Sequence, residues 1–201
     1  IRIKNFGETT YPELLISLAK LSQNRFSNLI IDLRDNTGGY LNSAVQIANE
    51  FLPKNKLIVY TEGRKSPRQE YRSDGRGSYQ NIPLVVLINE GSASAAEIFA
   101  GAMQDNDRAT IIGRRSFGKG LVQQQIGFND GSMIRLTIAR YYTPSGRCIQ
   151  KPYTNGEDID YQQDLMSRYQ HGEFFSSDSI KHTGPAYHTG IGRIVYGGGG
   201  I

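Results

Sequence analysis

The sequence predicts an α/β fold of βαβ units around a central, mainly parallel sheet, and three observations carry that expectation. Two short apolar segments, Leu29 to Leu33 and Leu84 to Ile88, have the length and β-branched content of buried strands. Each runs into a loop of turn-forming residues, and each loop opens into a helical pattern. Strands alternating with helices form parallel sheets, whose ligands bind in loops at the carboxyl ends of the strands. The 201 residues, 38% of them hydrophobic, suit one sizeable core with appendages.

In chain order, a helix is expected from Tyr11 to Leu21, with Pro12 in its first turn. The strand Leu29 to Leu33 ends in the tight loop Arg34 to Gly39. Leu41, Ala44, Val45, Ala48, Phe51 and Leu52 then recur at the helical period up to the breaker Pro53. The stretch from Gly63 to Gly77 holds Arg64, Lys65, Arg68, Arg72 and Arg76 against Glu70 and Asp74, and with Pro67 among them it reads as a solvated loop. The second unit comprises the strand Leu84 to Ile88, a polar loop, a helix of small residues from Ala95 to Gln104, and a strand from Ala109 to Ile112. Leu121 to Phe128 and Met133 to Tyr142 flank Asn129, Asp130 and Gly131 as the two arms of a β-hairpin. Beyond it the chain is polar and rich in tyrosine and glycine, with a helix expected near Tyr161 to Tyr169. The expected division is a core of residues 1–150 and a C-terminal extension, 151–201, packing on it.

Charge and composition narrow the function. A net charge of +4 is small for a dedicated nucleic-acid binder. The longest apolar stretch, Leu84 to Ile88, is far short of the roughly 20 residues that span a bilayer. Cys148 is the single cysteine, so an internal disulfide is excluded and a packing role is expected. The histidines and Cys148 lack ligand spacing on one element, which argues against a metal site. The first residue, Ile1, and the closing glycine run give both ends the look of a cut from something longer.

Ser94 lies between a strand and a helix, where a side-chain oxygen meets unpaired backbone N–H groups. Two readings fit it. Ser94 and Glu97 match a capping box, while the small residues Ala93, Ala95 and Ala96 leave room for another backbone beside a nucleophile. Replacement of Ser92 is expected to be better tolerated. A nucleophilic serine needs a base, and His171, His182 and His188 all lie in the weakly patterned tail. Lys119, between Gly118 and Gly120 and next but one to Phe117, is the alternative if it is held neutral. The run Gly113 to Gly120 also approaches a phosphate-binding loop, but Gly120 replaces the Mg²⁺-binding hydroxyl and a strand follows where a helix is required. Asp32 and Asp35 read as strand-end and turn residues. Asp105 and Asp107 oppose the helix dipole, which points to an ion pair with Arg108 or with a neighbouring loop.

Three segments, LIIDLRDNTGGY at 29–40, VLINEGSASAAE at 86–97 and SFGKGLVQ at 116–123, resemble the core signatures of the C-terminal processing (tail-specific) serine peptidases. YYTPSGR at 141–147 and GRIVYGGGG at 192–200 are similar to that family's downstream segments. The resemblance implies a spiral α/β core of the crotonase and Clp-protease kind. It also implies an endopeptidase that cleaves proteins near their C-termini through an acyl-enzyme, with Ser94 as nucleophile, Lys119 as general base and Gln123 orienting the lysine. The N–H of Ala95 would form half of the oxyanion hole, and the Gly38–Gly39 loop the other half, with Gly39 preferred. Asp105 matches a family position near the site. The same resemblance implies protein or peptide substrates with apolar C-termini, an extracytoplasmic or periplasmic setting, and no need of nucleotide or metal. It further implies a PDZ domain in the parent chain, upstream of the residues present here. The alternative reading is a non-catalytic peptide- or ligand-binding module of the same fold.

Overall fold

The computed structural model describes residues 1–152, 158–180, 182 and 184–201. Helix α1 (Thr10–Ser22) buries Leu14 and Leu18, four residues apart on one face, and Pro12 sits in its first turn, where a missing N–H is harmless. Strand β1 (Leu29–Asp32) buries Leu29 and Ile31, and α2 (Leu41–Asn49) buries Ala44, Ile47 and Ala48. Next come β2 (Leu57–Gly63), β3 (Ser66–Arg72), β4 (Leu84–Ile88), α3 (Ala95–Asp105) and β5 (Thr110–Gly113). The chain continues through β6 (Leu121–Gly127), β7 (Met133–Tyr142), α4 (Asp158–Gln170), β8 (Ala186–His188) and β9 (Ile194–Tyr196).

Strands β1, β4 and β5 form a parallel sheet, with Leu29 level with Leu84 and Val86 level with Ile111. A second sheet, in the order β3-β2-β7-β6, is antiparallel. Helix α3 packs against α2, β2 and β5, and nearly all of its residues are buried. Its small side chains, Ala95, Ala96, Ala100, Gly101 and Ala102, let it lie inside the protein with no solvent face.

The expected parallel sheet is present, and the structure adds antiparallel sheets and strands that the sequence reading did not place. The parallel sheet has three strands, and the larger sheet is antiparallel. Residues 66–72, expected as loop, form β3 against β2. Their charges fall on one face of the strand, where Arg68 and Arg72 both pair with Glu70 and Arg68 stacks 3.8 Å over the Tyr60 ring. The apolar run Leu57 to Tyr60, buried from Ile58 onward, supplies the partner strand that an exposed, charged edge requires.

Segments from four parts of the chain, 37–41, 94–98, 119–125 and 135–141, contribute to one cleft. The loop after β1 is anchored by Asn36, whose Nδ2 donates to the Ile3 carbonyl and whose Oδ1 accepts the Gly38 N–H, both at 2.8 Å. At the head of that loop, Asp32 accepts two side-chain hydrogen bonds from Arg34, at 2.9 and 2.8 Å, and these hold its carboxyl down at about 2. The stability gained from this pair is present above the ordinary aspartate pKa and is lost as pH falls from there through about 2. Urea unfolding at stepped pH is therefore expected to show a steeper acid loss between about pH 4 and 2 in the wild type than in Asp32→Asn; parallel curves would remove Asp32 from the acid limb.

Candidate active site

The β4–α3 loop is fastened to the β1 loop before it reaches Ser94. Ser92 Oγ donates to the Leu33 carbonyl at 2.7 Å and accepts the Asn89 N–H at 3.0 Å, while the Ala93 N–H donates to the Asn36 carbonyl at 2.9 Å. Ser92 is fully buried, so the expectation that it tolerates replacement is wrong: its hydroxyl joins the two strand-end loops.

Ser94 has φ +55° and ψ −116°, far from the extended conformation of an ordinary N-cap. A side chain held there is strained, and its position is set by the bonds around it. The Ser94 N–H donates to Glu97 Oε2 at 2.8 Å, so the Glu97 half of the box exists. The carboxylate does more than cap. Glu97 Oε2 also accepts the Lys119 N–H at 2.8 Å, and Oε1 accepts the Ser116 hydroxyl at 2.6 Å and the Gly118 N–H at 2.7 Å. Glu97 has no solvent exposure, and burial pushes its carboxyl up from the usual range while the four donors oppose that shift. One side chain thus fixes the backbones of Ser94 and Lys119 together, and it binds Lys119 through the peptide group.

Ser94, Lys119, Gln123, Gln125, Gly39, Thr37, Tyr40 and Arg135 line one open cleft of about 500 Å³. Gly38 and Gly39 have φ of +102° and +143°, and a Cβ added at Gly38 would lie 2.7 Å from Ser94 Cβ and 2.9 Å from the Ala95 nitrogen. The loop therefore lies directly against the start of α3. The Gly38 N–H is committed to Asn36. Among the described residues, the N–H groups of Gly39 and Ala95 have no acceptor. Gln123 opens on the cleft, but neither it nor Ser94 Oγ makes a hydrogen bond to the Lys119 amine. The register shifts between Val122 and Gln123, where Ile138 of β7 is left without a partner in β6.

The other candidates fall outside the cleft. The side chains of His171 and His182 bond to Ser167 and stack on Tyr196 respectively, and no histidine lines the cleft. The N–H groups that a phosphate would need at Gly118 and Lys119 are taken by Glu97. Arg108 does not pair with Asp105; it donates to the carbonyls of Phe51, Tyr79 and Ile82. Asp105 is bound by Arg147 at 3.0 Å and by the Ser145 hydroxyl at 2.7 Å, and Asp107 by Arg193 at 2.6 Å, which answers the dipole conflict with neighbouring loops. Burial pushes the Cys148 thiol up, in keeping with packing.

Sequence reasoning missed Arg168. On α4, its guanidinium donates to the Ser116 carbonyl at 3.1 Å and to the Arg115 carbonyl, and it pairs with Glu173 at 2.8 Å. Glu173 also binds Arg115 at 2.7 Å, so the loop that carries Lys119 is clamped from the side opposite Glu97. No local pattern announces this, because Arg168 and Ser116 are 52 residues apart.

Residues 1–161 match peptidase family S41. The chain is 42% identical over 151 residues to the carboxyl-terminal-processing protease of Synechocystis sp., covering 75% of this chain and 35% of that protein. It is 42% identical over 176 residues to the carboxy-terminal-processing protease of Bartonella bacilliformis, covering 85% of this chain and 40% of that one. Among solved structures, the photosystem II D1 C-terminal processing protease superposes with a TM-score of 0.68 at 36% identity, over 74% of this chain and 38% of that one. The chain thus spans well under half the length of these relatives.

Glu97→Gln presents an NH₂ group to two N–H or O–H donors, each of which costs about 1–3 kcal/mol if left unpaired. It is expected to lower the unfolding free energy in urea by more than about 2 kcal/mol. Ser94→Ala removes none of the carboxylate's bonds and is expected to stay within about 1 kcal/mol of wild type. Equal effects would mean that Glu97 is not the anchor of the two loops.

Proposed function

The chain belongs to peptidase family S41, and from that premise we propose that it is the catalytic part of a serine endopeptidase that cleaves proteins near their C-termini. Ser94 is the nucleophile and Lys119 the general base. The observation that supports this most directly is the shared carboxylate of Glu97, which fixes the nucleophile's backbone and the base's backbone on one wall of an open cleft.

In this reading the neutral Lys119 amine takes the proton from Ser94 Oγ as the oxygen attacks the scissile carbonyl. The Ala95 and Gly39 N–H groups hold the resulting oxyanion, and the ammonium then protonates the leaving amine. Water, deprotonated by the same amine, hydrolyses the acyl-enzyme. Lysine serves here only when neutral, and a carboxylate beside it would stabilise the ammonium. Among the described residues, no acidic side chain lines the cleft. Gln123 lines the same cleft and, by turning its amide toward the amine, would orient it without adding charge. Substrates are proteins or peptides with apolar C-termini, delivered by a PDZ domain of the parent chain in an extracytoplasmic or periplasmic compartment. Residues 1–150 form the peptidase core, and 151–201 an extension that packs on it.

Incubation with a denatured, C-terminally tagged polypeptide tests this. The chain is expected to trim the polypeptide, with Ser94→Ala inactive and equally folded. A pure binding module would hold the polypeptide and leave it intact. The pH profile tests the base: kcat/KM should rise with pH, Gln123→Glu should move that rise to higher pH and lower activity at neutral pH, and both Lys119→Ala and Lys119→Arg should be inactive throughout. An active Lys119→Ala enzyme would place the base elsewhere.

A further inference from the structure

We propose that Arg135 forms a carboxylate-binding subsite in the cleft and holds the free α-carboxylate of the substrate segment downstream of the scissile bond. The inference deepens the endopeptidase reading and rests on it.

The antiparallel pair β6 and β7 has two unlike faces. Gln125 is level with Arg135 and Gln123 with Thr137, so Gln123, Gln125, Arg135 and Thr137 share one face. Gln123, Gln125 and Arg135 line the cleft that holds Ser94 and Lys119. The opposite face carries Ile126, Ile134 and Leu136, all exposed. Of the two arginines on β7, Arg135 and Arg140, the first is the one that lines the cleft.

Among the described residues, Arg135 shares its lack of a carboxylate partner with Arg25, Arg64 and Arg140, but of these four it is the one that lines the cleft. Arg34, Arg68, Arg72, Arg114 and Arg115 are each paired with a carboxylate. Among the described residues Arg135 has no hydrogen bond or ion pair, and β6 and β7 contain no Asp or Glu. Among the described residues, the cleft therefore holds two basic side chains, Lys119 and Arg135, and no acid. Of the two, Arg135 is the one whose positive charge is permanent. A guanidinium offers two parallel N–H donors that match a carboxylate bidentately, a geometry an ammonium cannot supply.

The position suits a chain terminus. Arg135 is two residues from Thr137 along β7, about 7 Å farther toward the turn than the level of Gln123. An extended peptide reacting at Ser94 and running along the hairpin would present a carboxylate there after a few residues. The subsite would thus favour short downstream segments that end in a free acid. An aspartate or glutamate side chain offers the same chemistry, so the test must separate the two sources.

The test uses binding, which does not require cleavage. Peptides of neutral composition are titrated at low salt into the Ser94→Ala protein and into Ser94→Ala carrying Arg135→Gln or Arg135→Lys. Each peptide is prepared as the free acid, as the C-terminal amide, and as an amide ending in glutamate. Thermal melts confirm that the variants are equally folded. The free acid is expected to bind about tenfold tighter than the amide, as for a charge-assisted hydrogen bond. That advantage should vanish with Arg135→Gln and return in part with Arg135→Lys. The glutamate amide should bind more weakly than the free acid. Equal affinity for acid and amide, or an advantage that survives Arg135→Gln, would overturn the subsite; a glutamate amide as tight as the acid would overturn its assignment to the terminus. Cleavage by the wild type is scored separately. Arg135-dependent acid binding without any cleavage would sink the endopeptidase reading and leave the subsite standing, whereas cleavage without the acid preference would sink the subsite alone.

Discussion

The buried carboxylate of Glu97 is the constraint on which the rest of the site depends. An unpaired carboxylate in a dry interior is too costly to keep. Here the cost is offset by four donors, contributed by Ser94, Ser116, Gly118 and Lys119. Because those donors belong to two segments that meet only in the folded chain, the carboxylate converts a requirement of burial into a requirement of geometry. The strained backbone of Ser94 and the glycine-flanked backbone of Lys119 cannot drift apart without orphaning a charged group.

The same logic extends outward. Ser116, whose hydroxyl donates to Glu97, also accepts the Ile201 N–H at 2.7 Å, and its carbonyl is held by Arg168. Lys151 lies 3.9 Å over the Phe117 ring and 3.0 Å from Asp164 of α4. The segment from Arg115 to Lys119 is therefore fixed by α3 on one side and by α4 and the chain's last residue on another. Close approach serves the same end, since Gly38 lies against Ala93, Ser94 and Ala95 at the start of α3.

The parts of this arrangement that were legible in the sequence are the local ones. The helical period located α2, a β-branched apolar run located β4, a stretch of small residues located α3, and the strand-loop-helix transition marked Ser94. The S-x-x-E spacing picked out Glu97 as a cap but could not reveal its bonds to residues 19 to 22 positions later. The roles of Arg147 and Arg168 were hidden for the same reason: both are buried cations whose partners lie far away in sequence. β3 was misread because its charges look solvated in one dimension, and only pairing with β2 places Arg68, Glu70 and Arg72 on a common face. Assigning Ser94 and Lys119 to chemistry, in preference to capping and solvation, rested on the resemblance of several long motifs in order.

The central claim is that Ser94 is made nucleophilic by Lys119 within a frame held by Glu97. A serine-reactive fluorophosphonate followed by intact mass and peptide mapping tests it without reference to any substrate. The account predicts a single adduct on Ser94, forming faster as pH rises, and none in Lys119→Ala. Labelling of another serine, or an adduct on Ser94 that forms equally fast without Lys119, would contradict it.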